Sequence, residues 1–380
     1  MQFVSNGFKS ASWLLYAVIV MEIVFMISPF GLYYYSFYGF PLRALTQYKW
    51  GSFLTGFFLP HFTRTSSPLI SLLQGMGWPL LWLGLVLFAM GFVQIYGSKL
   101  VSVLNRGKRD AGPVDSWLYG NVRHPQYVAL AVAGLGALLV WPRFLVLFSY
   151  VTMLFLYYSL ARFEEHRCIM KFGEEYRQYL DNTNMFLPFK IDFPSLEDLI
   201  PSRNVRVCIY VSLYAMAILA SLGIGEQLKK HTVESISAVY LPETAIVSPA
   251  RLEPTELEDA FRLATNNPNV KTALNRDDTP ASWLVYVVPK QWYIPELPLG
   301  IISSRIPHKS LRDFNRNQLS VLFTKPLSHA QPTGGKEILL SAYGFRPVVA
   351  AEIDLSENNV LKVTHPPATL AWGKIPTPLL

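Results

Sequence analysis

Long apolar runs fill the first part of the chain, and short alternating runs fill the rest. Apolar runs of membrane-spanning length lie in residues 1–224, whereas residues 225–380 contain none. A helix needs about 20 consecutive apolar residues to cross a bilayer. The pattern therefore predicts an α-helical polytopic membrane domain of about five spans, followed by a C-terminal soluble domain.

The predicted spans differ in how clearly they are bounded. The first apolar run, 12–30, precedes no small-residue cleavage site, so we interpret it as a retained anchor and not as a signal peptide. The second span has its upstream end at Pro68, and Gly75, Gly77 and Pro79 are expected to break it there. The apolar cores of the second and later spans are 78–96, 127–141, 144–163 and 205–223.

Two connecting segments have patterns of their own. Residues 31–67 are rich in tyrosine and phenylalanine, which are typical of membrane interfaces. They predict an irregular segment at the bilayer surface, with a short helix near 51–59. Trp141-Pro142-Arg143 turns the chain between two apolar runs and predicts a helical hairpin with a tight tip.

Residues 225–380, which we call the tail, have a pattern that predicts a mostly β domain of α+β type. Thr255-Glu256-Leu257-Glu258 is a capping box, which predicts one helix starting near Thr255. The strand-like runs are 236–241, 283–288, 319–324, 338–343, 347–353 and 360–364. The chain thus divides into an N-terminal span with its interfacial segment, a membrane core, a last span and a soluble domain, at 1–67, 68–204, 205–224 and 225–380.

Composition supports a membrane protein. Of the 380 residues, 51% are hydrophobic, 14% are aromatic and only 16% are charged, against about a quarter charged in soluble domains. Intrinsic disorder is excluded by the aromatic content. The net charge of +7 lies almost wholly in residues 1–224, which favours membrane topology and anionic lipids over nucleic acid as its cause. Cys168 and Cys208 form no metal or redox motif.

The basic residues also predict an orientation. The loops 97–126 and 164–204 each carry five Lys or Arg, whereas the hairpin tip carries only Arg143. By the positive-inside rule both loops are expected in the cytoplasm, and an odd final span places the tail on the other side. The sequence has no Asn-x-Ser/Thr sequon, which favours a bacterial inner membrane over a secretory-pathway membrane for an exported domain of this size.

Two polar clusters lie at the outer ends of the hairpin, one before its first helix and one at the end of its second. Because the hairpin turns tightly, we expect these ends to meet on one membrane face. The clusters supply Arg123, His124, Tyr127, Glu164 and Glu165. Arginine can hold a carboxylate bidentately, and glutamates can hold an ammonium group or ribose hydroxyls.

Pro125 pre-sets the first helical turn and leaves N–H groups for an anion. Such a site suits a zwitterionic ligand with an aromatic part. Simple pairing of charges at helix ends would explain either cluster alone. Their meeting at one hairpin favours a ligand site.

These motifs resemble the integral-membrane methyltransferases, which include isoprenylcysteine carboxyl methyltransferases and phospholipid N-methyltransferases. Arg123-His-Pro-Gln-Tyr127 is similar to the family's RHPxY signature, and Glu164-Glu165 followed by Phe172-Gly-Glu-Glu-Tyr176 and Tyr179 is similar to its EE…FGxxYxxY stretch. The resemblance covers roughly 78–190 and excludes the tail. Ala129 and Cys168 depart from the family pattern, which has Gly and Leu at those positions.

The resemblance implies S-adenosylmethionine as methyl donor. Arg123, His124, Pro125, Tyr127, Glu164 and Glu165 match donor-binding positions, with Arg123 and Glu165 also assigned to catalysis. The sequence therefore predicts a multi-pass methyltransferase that acts on a lipophilic acceptor, an isoprenylcysteine-like carboxylate or a lipid headgroup. The alternative is a non-catalytic membrane subunit that retains the hairpin as scaffold and docks a protein partner through its tail.

Overall fold

A computed structural model describes residues 44–61, 63–104, 118–189, 202–275, 282–294, 296–299 and 310–367, with the single residues 17 and 200. The chain divides into two compact units. The first holds the described parts of Gly75–Val140 and Val146–Leu222, and the second those of Ser28–Gln74, Trp141–Leu145 and Gly223–Leu380. The predicted first span, 12–30, lies outside the described residues apart from residue 17.

Several helices precede the sheet domain, and the longest of them coincide with the apolar runs. They are α1 (Lys49–Thr55), α2 (Pro68–Leu104), α3 (Leu118–Asn121), α4 (Pro125–Val140), α5 (Phe144–Phe172), α6 (Glu174–Asn182) and α7 (Arg203–Ser235). The tail contains α8 (Pro254–Asn266), α9 (Pro268–Leu274) and α10 (Gly335–Ser341). Its strands are β1 (Ser237–Leu241), β2 (Thr244–Ser248), β3 (Trp283–Pro289), β4 (Gln318–Leu327), β5 (Gly344–Asp354) and β6 (Asn359–Thr364).

Three helices in the described part of the chain are long and apolar enough to cross a membrane. They are the Pro68–Gly97 part of α2, α5 and α7. Large apolar side chains on α2 and α7, such as Trp82 and Leu219, are exposed, as lipid-facing residues are. The apolar helix α4 has 16 residues, a length of about 24 Å. Three helices of the described residues are therefore candidate membrane spans, and the predicted number of about five is not confirmed.

The predicted break in the second span is wrong. Helix α2 runs without interruption from Pro68 to Leu104 with Pro79 inside it. Proline removes one backbone donor, but membrane helices tolerate it where neighbouring helices support the backbone. Such support is present, because a Cβ atom added to Gly77 would lie 3.0 Å from the backbone N of Val140 in α4.

Small residues allow α2 and α4 to pack backbone against backbone. A Cβ atom on Gly84 would lie 2.3 Å from the Ala133 nitrogen and 2.6 Å from the Ala129 oxygen. One on Gly136 would lie 2.2 Å from the nitrogen of Leu81. This close approach is the packing that small residues give membrane helices. Ala129, one of the two departures from the family pattern, lies fully buried within it.

The tail forms a six-stranded sheet in the order β1-β2-β3-β4-β5-β6. Strands β2 and β3 pair in parallel, and the other neighbours pair antiparallel. The parallel pair needs a crossover, which α8 and α9 provide. The central strands are buried along most of their length, so the tail has a core of its own.

The tail confirms most of the predicted elements, but one predicted strand is wrong, the capping box is displaced and two further elements were not predicted. The runs at 236–241, 283–288, 319–324, 347–353 and 360–364 are strands, but 338–343 is wrong as a strand because α10 occupies it. The capping box of α8 consists of Glu253 and Glu256 with Pro254 in the first turn, two residues before the predicted box. Strand β2 and helix α9 were not predicted. The domain is therefore a mixed sheet with helices.

The second unit joins the hairpin tip, Trp141–Leu145, to the tail through residues 56–67. An antiparallel bridge pairs Phe57 with Arg143, and another pairs Thr65 with Ile236. The Arg64 N–H donates to the Pro249 carbonyl at 2.9 Å. The described part of residues 44–67, including the short helix α1 near its predicted place, thus lies in the same unit as the tip and the sheet.

Candidate functional site

The hairpin brings the two polar clusters together, as the sequence predicts. Residues 123–127 precede and open α4, and residues 164–165 lie near the end of α5; we call these residues the hairpin mouth. Pro125 is the first residue of α4 and is buried. Its ring suits the first helical turn because that position needs no N–H hydrogen bond within the helix. This first turn thus fixes the backbone positions from which the Arg123 and His124 side chains extend.

Arg123 and Glu165 form the central ion pair of the mouth. The Arg123 Nε donates to Glu165 Oε1 at 2.6 Å, and the two side chains are only 12% and 5% exposed. Arg123 Nη1 donates to the carbonyls of Leu180, at 3.0 Å, and of Thr183. A buried pair with such additional hydrogen bonds is held in one geometry. Glu165 thus fixes the position of the guanidinium.

His124 lies between both glutamates. Its Nδ1 is 3.5 Å from Glu164 Oε2, and its Nε2 is 3.5 Å from Glu165 Oε1. Burial disfavours the charged ring, but the two carboxylates outweigh burial and raise the pKa of His124 above its ordinary value. The mouth therefore favours a protonated imidazole, with positive and negative groups in alternation.

Aromatic rings continue from the mouth into the hairpin. The Tyr127 ring stacks on His124, with centroids 5.4 Å apart, and on Tyr157 of α5, with centroids 5.2 Å apart. Tyr157 is only 2% exposed. The three rings form a stacked column. This places apolar ring surfaces beside the charged groups of the mouth.

A segment that sequence reasoning missed covers the mouth. Residues 180–186, which we call the strap, run beside the mouth through a parallel bridge between Val122 and Asn184. The backbone N–H groups of Arg123 and His124 donate to strap carbonyls at 2.9 and 3.1 Å. The hydroxyl of Tyr179, in α6, donates to the Tyr119 carbonyl at 2.6 Å. That tyrosine belongs to the FGxxYxxY stretch, which was the available signal.

The charged side chains of α6 are solvated, in contrast to the buried charges of the mouth. Glu174 pairs with Arg177 at 3.4 Å, but these side chains are 73% and 63% exposed. The pair lies on the solvated face of α6. Cys168, the second departure from the family pattern, is half-buried and has a free thiol. It lies near Tyr176 and Glu164, and burial raises the pKa of nearby Tyr176.

The charged groups in the mouth can bind a zwitterionic ligand. Among the described residues, Arg123 Nη2 has no hydrogen-bond partner, because Nε and Nη1 make all the bonds of that side chain. It can therefore donate to a ligand carboxylate. Glu164 is 31% exposed, in contrast to Glu165, so its carboxylate is the one placed to meet a cation or hydroxyl from solvent.

The folded protein should lose stability as His124 loses its proton. Its pKa is raised above 6.5, so the stabilisation is complete below about pH 6.5 and disappears as the pH rises through the folded-state pKa. Between about pH 6 and 8, Tm of the parent should fall more steeply than Tm of His124→Gln. Thermal unfolding across that range measures this. Parallel curves for the two proteins would contradict it.

Comparisons with known proteins give the site no relative. No protein-family model matches the chain, and no curated protein or solved structure matches it either. The function of the mouth therefore has to be inferred from its own residues and from the motif resemblance described above.

Proposed function

We propose that this protein is a membrane-embedded, S-adenosylmethionine-dependent methyltransferase that acts on a lipophilic acceptor. The acceptor would be an isoprenylcysteine-like carboxylate or a lipid headgroup. The proposal is carried by one observation: Arg123, His124, Glu164 and Glu165 meet at the polar end of an apolar hairpin. Opposite charges beside an apolar helix surface suit a charged methyl donor and a lipophilic acceptor.

The side chains of the mouth would divide the binding of the donor between them. Arg123 Nη2 would hold the donor carboxylate, and Glu164 would hold its ammonium group or ribose hydroxyls. Glu165 would act through Arg123, since it already accepts from that guanidinium at 2.6 Å. S-adenosylmethionine supplies a methyl group carried on a sulfonium. The strap and the aromatic column would keep water from the transfer.

The acceptor would reach the mouth from the bilayer. Helix α5, which carries Glu164 and Glu165, is apolar and long enough to span the membrane, so a lipophilic chain can lie against it. In-line methyl transfer needs alignment more than acid–base chemistry. A carboxylate acceptor arrives ionised and needs no base, which makes it the simpler substrate for this set of residues.

We place the protein in a bacterial inner membrane as a multi-pass protein, with the mouth in the cytoplasm and the tail outside. Support comes from the basic loops and from the hairpin tip, which lies in one compact unit with the tail. After replacement of both native cysteines, Glu174→Cys should react with an impermeant reagent only once the membrane is opened. Arg346→Cys, exposed in the tail, should react from outside. The reverse pattern would refute the orientation.

The alternative is a non-catalytic subunit that docks a protein partner through its tail. One observation favours it: the tail has its own sheet and core, which a small-molecule enzyme does not need. Binding of radiolabelled S-adenosylmethionine to the purified full-length protein separates the two. We expect saturable binding that unlabelled donor displaces. A folded protein that binds none would favour the subunit.

A further inference from the structure

Arg143, at the hairpin tip, is a buried cation with part of its hydrogen-bonding capacity unused. The residue is only 1% exposed. Its Nη1 donates to the Thr55 carbonyl. Its Nε and Nη2 are buried and have no hydrogen-bond partner among the described residues. Buried donors are nearly always paired in folded proteins, so an unpaired edge on a charged group indicates a missing acceptor.

Aromatic rings hold this guanidinium in place. Its Cζ lies 4.4 Å from the ring centroid of Phe57 and 5.2 Å from that of Trp141. The two rings meet at 75° and form a corner around the cation. Cation–π contacts orient a guanidinium but do not take its N–H hydrogens. The two rings therefore fix the guanidinium and leave its Nε and Nη2 without an acceptor among the described residues.

Described acidic side chains do not neutralise Arg143. None of their carboxylate oxygens lies within 4.0 Å of it, and the buried Glu296 is instead 4.0 Å from Nε2 of His61. Leaving a buried charge without a counter-charge is strongly destabilising. An anion from outside the described residues would remove that cost.

The unused atoms define the shape of the anion. Nε and Nη2 lie on the same side of a guanidinium and donate in parallel, which matches two oxygens of one carboxylate or phosphate. We propose that this edge of Arg143 binds the phosphate of an anionic phospholipid. The edge is buried in this structure, so binding requires the covering residues to move.

The neighbouring helix points to a lipid as the source of the phosphate. Tyr48 and Trp50 in and beside α1 are each 58% exposed, and Phe53 is 38% exposed. The Phe144 N–H, at the start of the spanning helix α5, donates to the Gly56 carbonyl at 3.1 Å. Exposed tyrosine and tryptophan beside the end of a membrane helix are typical of the headgroup level, where lipid phosphates lie.

Thermal stability of the full-length protein in neutral detergent tests the proposal. Phosphatidylglycerol should raise Tm of the parent and of Arg346→Gln, which removes an exposed arginine from the tail. Arg143→Gln should need about tenfold more lipid for the same rise, and any general effect of inorganic phosphate on Tm should be equal in all three proteins. Equal responses of all three proteins would refute the role of Arg143. An Arg143-dependent response to inorganic phosphate alone would refute the lipid as source.

A second measurement uses the unaltered protein, in case Arg143→Gln does not fold. A phospholipid with a photoreactive headgroup is incorporated into vesicles with the protein, and labelled peptides are identified. We expect labelling of peptides that contain residues 55–61 or 141–145 above that of peptides from β6. Labelling no stronger than that of β6 would refute the site. Neither test depends on methyl transfer, so the methyltransferase proposal can fail separately.

Discussion

Glu165→Gln is expected to weaken S-adenosylmethionine binding by about 30-fold or more, the cost of removing one partner of a buried charge pair. The carboxylate of Glu165 accepts from Arg123 at 2.6 Å and lies 3.5 Å from His124. Glutamine keeps the size but not the charge, so the guanidinium loses the group that fixes it. Equilibrium binding of labelled donor to the purified variant measures the effect.

Glu174→Gln is the matched control, since it makes the same change in a solvated pair. Glu174 and Arg177 are 73% and 63% exposed, and exposed ion pairs contribute little to stability. The variant should bind donor within about twofold of the parent. A folded Glu165→Gln protein with unchanged affinity would refute the assignment, and so would a loss confined to Glu174→Gln.

The hairpin could be predicted because its signals are local. Trp141-Pro142-Arg143 favours a turn, and the apolar runs on either side predict the two helices. Once the hairpin is assumed, the meeting of Arg123 with Glu165 follows from chain geometry, without any knowledge of packing. The strap could not be found in this way. It is held by backbone hydrogen bonds, such as the Arg123 N–H to the Asn184 carbonyl, and by a side-chain donor, as Arg123 Nη1 binds the Leu180 carbonyl. Every residue has a carbonyl acceptor, so these bonds do not mark the strap in the sequence.

Elements in the tail were missed where local signals were weak or misleading. Strands β1 and β2 are joined by Pro242-Glu243, since Leu241 pairs with Thr244, and this turn lacks the Asn-Gly type of signal. In α10, Ile338 and Leu339 read as a buried strand. The carboxylate of Glu337 accepts from the Thr333 N–H at 2.7 Å just before the helix, and this contact supports the helix start.

The interior of α2 shows a different limit. Proline and glycine predict a break when the helix is considered alone. The structure uses Gly77 and Gly84 to bring α2 against the backbone of α4. The same residue types therefore mark a packing surface, and only the position of the second helix distinguishes the two interpretations. The same surface packs α4, whose first turn directly follows Arg123 and His124 of the hairpin mouth.

Gly136→Ala should accordingly destabilise the protein by about 1–3 kcal/mol, the usual cost of overpacking. The added Cβ would lie 2.2 Å from the Leu81 nitrogen, and a backbone atom cannot move aside as a side-chain end can. Gly75→Ala in α2 is the control, because its Cβ would have nothing within 4 Å. That change should stabilise the helix by about 0.4–1 kcal/mol. Thermal unfolding of both variants in one detergent measures the opposite shifts.

Donor binding extends the same comparison to the mouth. If contact with α2 positions α4, Gly136→Ala should also weaken S-adenosylmethionine binding, because Arg123 and His124 directly precede α4 and move with its first turn. Gly75→Ala should leave binding unchanged. A Gly136→Ala protein as stable as the parent would mean that α2 and α4 do not approach this closely. A destabilised variant that binds donor normally would mean that the strap and Glu165 hold the mouth without help from α2.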